Sequence, residues 1–139
     1  METAKFSERQ LAYLSYPHYA VMATINADHS PQLSTVWFGF NEDRTKLVFV
    51  IERDSLKMRN IQRDPRFAAS IPHGGRYVVV RGRAEFDLAQ DPTQAQEDLE
   101  KLGQRYYGPI EGHNQVLSFG EKERVTVYLV PEKISSVGV

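Results

Sequence analysis

The 139-residue chain has no cysteine, which excludes disulfide staples and every thiolate-ligated metal centre. It also lacks an apolar run of the ~18 residues that a membrane-spanning helix requires. A marked excess of charge of either sign is missing too. With 17 basic and 18 acidic residues the formal net charge is −1, so no global field draws the chain to nucleic acid or to an anionic membrane. Residues Met1 to Phe6 lack the apolar core of a secretion signal, and the cytoplasm is the expected compartment. The four histidines (His18, His29, His73 and His113) show no i, i+4 spacing of a helical metal pair, so no metal is expected. There is no G-x-S-x-G elbow, P-loop or dinucleotide fingerprint, and no carboxylate pair suited to hydrolysis.

What is present is one domain's worth of chain, 41% hydrophobic and 25% charged, enough for a single core. Its most informative stretch runs from Ser55 to Pro65. It follows the apolar run Leu47 to Ile51, which reads as a buried strand, through the link Glu52-Arg53-Asp54. Ser55 is a helix cap, able to accept a bond from a free N–H of the first turn. Lys57 and Arg59 put positive charge where the helix macrodipole disfavours it. That placement makes sense if an anion sits at the helix start, so the stretch reads as a phosphate-binding corner. The plainer alternative makes Lys57, Arg59 and Arg63 a solvated helix face.

The rest of the chain is strand-rich. Ser7 caps a short helix that Pro17 ends. Strands are expected over 18–26, 31–40, 46–51, 66–72 and 76–86, separated by turns at 27–30, 41–44 and 73–75. Asp91, Pro92 and Gln94 open one long helix as cap, first helical residue and capping-box partner, and it stops at Gly108-Pro109. Residues 110–120 read as a polar loop, a candidate lid. Residues 124–130 form a strand that Pro131 breaks, with a short last strand over 133–137. Consecutive hairpins and few helices predict a mainly β fold, a six- to seven-stranded antiparallel barrel. A barrel this small fills its own interior, so a ligand has to bind on its outer wall or at a subunit seam.

Three ordered segments resemble the FMN-binding split-barrel superfamily, the pyridoxamine 5′-phosphate oxidase-like proteins. They are Ala23 to Ile25 with Pro31 to Phe38, Leu47 to Arg66, and Tyr77 to Phe86. The middle one, with its Lys-x-Arg-Asn-x-x-x-Asp-Pro pattern, is similar to the small single-domain branch that uses the deazaflavin coenzyme F-420. The resemblance implies a homodimer with a cofactor in a groove at each seam. It assigns the phosphate to Lys57, helped by Ser55, Arg59 and Asn60. It assigns the wall beside the ring system to Gln32, Ser34, Thr35, Val36, Val50 and Ile51, with Tyr77 nearby. Many members carry an arginine next to the lysine, where this chain has Ser55 and Leu56, leaving Arg53 or Arg59 as substitutes.

The implied activity is hydride transfer from reduced F-420 to an unsaturated small molecule. The alternatives are an FMN-dependent oxidoreductase and a non-catalytic cofactor-binding protein. Arg53, Arg59 and Arg63 would form a basic track for the carboxylates of the deazaflavin tail. Since hydride chemistry belongs to the cofactor, no side chain is singled out as catalytic. Trp37, the single tryptophan, is expected in the core or at the dimer seam. Arg105, Tyr106 and Tyr107 either close over the substrate or pack the helix end.

Overall fold

The hairpins build one curled sheet in the structure, a computed structural model that describes residues 3–139. Its strands are β1 (Ala20–Ile25), β2 (Pro31–Val36), β3 (Gly39–Phe40), β4 (Leu47–Glu52), β5 (Arg66–His73), β6 (Arg76–Glu85) and β7 (Arg124–Val137). They lie in the order β2-β1-β5-β6-β7-β4-β3, every pairing antiparallel. The two edge strands, β2 and β3, are consecutive in the chain and joined only by Trp37 and Phe38. A two-residue link can join opposite edges only if the sheet rolls up until they approach. The result is an antiparallel half-barrel, the split-barrel class expected from the sequence. Four helices complete it: α1 (Glu8–Leu14), α2 (Leu56–Arg63), α3 (Pro92–Tyr107) and α4 (Pro109–Ser118).

Strand alternation sorts the side chains. Ala20 and Met22 of β1, Phe67, Ala69 and Ile71 of β5, Val78 and Val80 of β6, and Val125, Val127 and Leu129 of β7 form the buried core. Phe49 meets Phe67 edge-to-face, with ring centroids 5.9 Å apart. Helix α2 adds Met58 and Ile61 to this core, and α1 adds Leu14. Helix α1 starts with a full capping box. Ser7 Oγ accepts from Gln10 N–H at 3.1 Å, and Gln10 Oε1 accepts from Ser7 N–H at 2.9 Å. Helix α3 covers the other side of the sheet, where buried Thr126 donates its hydroxyl to Asp98 at 2.6 Å.

Four local expectations need correction. The strand expected over 31–40 is two strands, because Trp37 and Phe38 carry the chain from one sheet edge to the other. Pro131 does not break the last strand. Strand β7 runs unbroken from Arg124 to Val137, and the register steps from Gly82↔Pro131 to Arg81↔Lys133, leaving Glu132 as an unpaired bulge residue. The capping box at Gln94 is absent. Asp91 accepts from Thr93 N–H, while the Gln94 amide turns to Asp98. The polar loop expected over 110–120 is mostly helix α4. Gly108, at φ 83°, redirects the chain and Pro109 starts the new helix. Helix α4 folds back on α3 so closely that a Cβ on Gly112 would lie 2.4 Å from the Gly103 carbonyl. The segment is therefore a packed helix and not a free lid.

Candidate functional site

A groove of about 440 Å³ opens on the outer wall of the half-barrel. One side is the exit of β4 (Val50, Ile51, Glu52) with Ser55 and Lys57 of the α2 entry. Opposite lie Thr35, Val36 and Trp37, with Tyr19 before β1. Leu99 and Leu102 of α3 form the floor, and Phe119 and Arg124 close the far end.

The α2 entry is built as its sequence dictates. Ser55 Oγ accepts from Met58 N–H at 3.3 Å and donates to Glu52 O at 2.7 Å. The next N–H, of Arg59, bonds Ser55 O. The N–H groups of Leu56 and Lys57 find no acceptor among the described residues. Neither does the Lys57 ammonium, which faces the groove without an ion pair. An unpaired cation beside free N–H donors at a helix N-terminus is a site for an anion. Arg124 brings a second cation. Its guanidinium is steered by the carbonyls of Phe119, Gly120 and Lys122 at 3.2–3.5 Å and has no carboxylate partner among the described residues. Glu52, the one carboxylate at the rim among the described residues, reaches towards Lys122 at 3.5 Å.

The aromatic end rests on a half-buried clasp. Trp37 stacks on Tyr106, centroids 5.4 Å apart and planes 16° off parallel, and touches Phe119 at 5.1 Å. Tyr106 is held by its hydroxyl, which donates to His18 O at 2.6 Å and accepts from Phe38 N–H at 3.0 Å. Burial pushes this phenol above its ordinary pKa. Arg105 lies over the Phe38 ring and donates to the carbonyls of Leu14, Ser15 and Tyr16. Arg105 and Tyr106 thus pack the helix end, the second of the two roles open to them. Tyr107 reaches the rim, where its hydroxyl meets that of Tyr19 at 2.9 Å.

Six residues singled out from the sequence line the groove together: Thr35, Val36, Val50, Ile51, Ser55 and Lys57. The other five, Gln32, Ser34, Arg59, Asn60 and Tyr77, lie outside its lining. Gln32 accepts from Asn26, Arg59 donates to Asp54 O, and Tyr77 pairs with Val137. Asn60 is fully buried, its amide tying α2 to Thr24 at 3.0 Å and to Asn26 at 2.9 Å. The basic track is likewise spent locally, since Arg53 bonds Leu88 O and Arg63 bonds Ile25 O. Sequence reasoning missed Tyr19, Leu99, Leu102, Phe119 and Arg124 as lining, and it placed Trp37 in the core or at the seam. Arg124 has one usable signal, its position opposite Glu52 where β7 pairs with β4.

Comparison with known proteins agrees with this geometry. A family model described as pyridoxamine 5′-phosphate oxidase matches residues 6–138. A curated Mycobacterium tuberculosis protein, the "F420H(2)-dependent biliverdin reductase", is 33% identical over 124 residues, 88% of either chain. Among solved structures, an F420 reductase superposes with a TM-score of 0.71 at 30% identity, covering 94% of this chain and 98% of its own. A conserved hypothetical protein from Mycobacterium tuberculosis gives the same TM-score at 26% identity, over 98% of this chain and 87% of its own. No helix among the described residues is long and apolar enough to cross a membrane. Split-barrel topology, the groove on its outer wall and these relatives together make the chain a member of the pyridoxamine 5′-phosphate oxidase family and an oxidoreductase.

Proposed function

We propose that the groove holds coenzyme F-420 and that the protein uses the reduced form to transfer hydride to an unsaturated, conjugated small molecule. The observation that carries this reading is the unpaired Lys57 ammonium beside the Ser55 cap, the arrangement a cofactor phosphate needs. The residues fit such a group. Lys57, Ser55 and the free N–H groups take the phosphate, while Thr35, Val36, Val50 and Ile51 form a flat wall for the ring system. Gln32, Ser34, Arg59 and Tyr77 contribute from the groove's margins and, in a homodimer, from across the seam. Asn60 acts by fixing α2 on β1. When bound, the deazaflavin supplies the hydride. The protein's own part is to orient, exclude water and present the acceptor against Tyr19, Trp37 and Phe119, whose faces suit a planar conjugated molecule.

Fluorescence titration with F-420 and, in parallel, FMN tests the cofactor. Tight F-420 with weak FMN binding supports the reading, and the reverse moves the protein to FMN chemistry. Biliverdin, named for the 33%-identical relative, is the first acceptor to assay. Trp37→Ala is expected to raise the acceptor KM about threefold to tenfold with a smaller change in cofactor Kd, since it removes a stacking face remote from the phosphate. Arg124 stands in for the arginine missing beside Lys57. Arg124→Gln is expected to weaken F-420 binding about threefold to tenfold at low salt and much less at high salt, because its charge is solvent-facing and screened.

A further inference from the structure

A second cavity, of about 490 Å³, shares no residue with the groove. Arg9 of α1, His18, and His73 and Arg76 from the two sides of the β5–β6 turn face it, with Tyr13 and Tyr16. The turn makes His73 and Arg76 direct cross-strand partners. Gly74, at φ 61°, supplies the left-handed backbone that this turn requires. The His18 ring stacks on His73 at 4.7 Å and lies against Tyr13 at 4.9 Å, and the Arg76 guanidinium sits over the Tyr13 ring.

Four basic side chains therefore converge; among the described residues no acidic side chain lines the cavity, and the terminal carboxylate of Val139, which does line it, lies within 4 Å of none of these cations. Among the described residues, neither guanidinium and none of the four ring nitrogens makes a hydrogen bond or ion pair. Tyr13 is occupied elsewhere, donating to Ile71 O at 2.8 Å. Solvated arginines are common on surfaces, but the chain has 18 acidic side chains to distribute, and none of the described ones lines this cavity. Burial, and then the neighbouring His73, Arg76 and Arg105, hold His18 below its ordinary pKa.

We propose that this cavity is a second ligand site, for a small dianion of the phosphate-monoester or dicarboxylate class. Arg9 and Arg76 provide the planar forks that fit either group, and His18 and His73 add ring N–H donors. The volume is in the range of small-molecule sites. The site stands independently of the cofactor assignment.

The test follows the assigned histidine ring signals by NMR in the full chain during titration with inorganic phosphate and, separately, succinate. Sodium chloride holds the ionic strength constant. Saturable shifts of His18 and His73, but not His29 or His113, support the site, and the probe that saturates identifies the ligand class. Arg76→Gln and Arg9→Gln are each expected to weaken that binding about tenfold. Lys57→Ala is expected to leave it unchanged, which separates this site from the groove. Arg9 is on an exposed helical face, so its variant carries the test if Arg76→Gln fails to fold. Shifts that never saturate, that survive both arginine replacements, or that vanish in Lys57→Ala overturn the proposal.

Discussion

Replacing Lys57 with alanine is expected to weaken F-420 binding by about 10- to 100-fold while leaving the melting temperature unchanged. The size follows from what the side chain does in the groove. A hydrogen bond to a charged group contributes roughly 1.5–3 kcal/mol, and every tenfold in affinity is about 1.4 kcal/mol. What survives in the variant is the α2 N-terminus, whose dipole and free N–H groups contribute about 0.3–1 kcal/mol at an exposed site. The lysine term is therefore the larger. The fold is indifferent because the ammonium bonds no protein group and the stem is half exposed. Ser55→Ala would be a poorer probe, since it also removes the α2 cap, at about 1 kcal/mol of stability. Parallel titrations with F-420 and FMN, with circular dichroism melts, make the measurement. Loss for both cofactors means Lys57 reads the phosphate they share. Unchanged affinity for both, in a normally folded variant, removes the phosphate from this corner.

What the sequence disclosed and what it hid divide along the range of the interactions involved. Ser55, Lys57 and the α2 entry were legible because a cap and a basic first turn are written within a few consecutive residues. The hairpins at 27–30 and 73–75 were legible for the same reason, since turn chemistry is local. Arg124 was not, because it becomes part of the groove only through β7 pairing with β4, some seventy residues earlier in the chain. Trp37 looked like a core residue from its apolar neighbours Val36 and Phe38. Only the closing of the sheet, which makes residues 37 and 38 the bridge between its edges, turns the indole to the groove. Helix α4 was obscured by composition, as residues 110–120 are polar and contain two glycines. One of these, Gly112, is what lets α4 lie against Gly103 of α3. Asn60 stood out as a polar residue at the α2 entry, but its amide bonds to Thr24 and Asn26 were not legible, because they depend on how α2 packs on β1.

Gly82→Ala is expected to be the most damaging single-methyl change in the chain, costing roughly 3–5 kcal/mol and lowering the melting temperature by roughly 10–20 °C. A Cβ at this position would lie 1.8 Å from the Val130 carbonyl oxygen and 2.8 Å from its carbon. Overpacking usually costs about 1–3 kcal/mol because side chains give way, but here the obstacle is the backbone of the paired strand. The close approach has a cause. Pro131 has no N–H to offer β6, and Glu132 is extruded as a bulge, so the two backbones are pressed together where Gly82 faces Pro131. The position also matters to the groove. Residues 124–129 of β7 pair with β4 on one side, and residues 128–137 pair with β6 on the other. Gly82 sits at that handover, so forcing the strands apart loosens the half of β7 that begins with Arg124. Gly75→Ala is the control, because nothing lies within 4 Å of its Cβ position, and it is expected to stay within about 0.5 kcal/mol of the parent. Calorimetry of the two variants decides the matter, and equal melting temperatures would mean that β6 and β7 do not approach so closely. A partly folded Gly82→Ala protein should lose F-420 binding as well, although residue 82 lies outside the groove, because the pairing it supports positions Arg124.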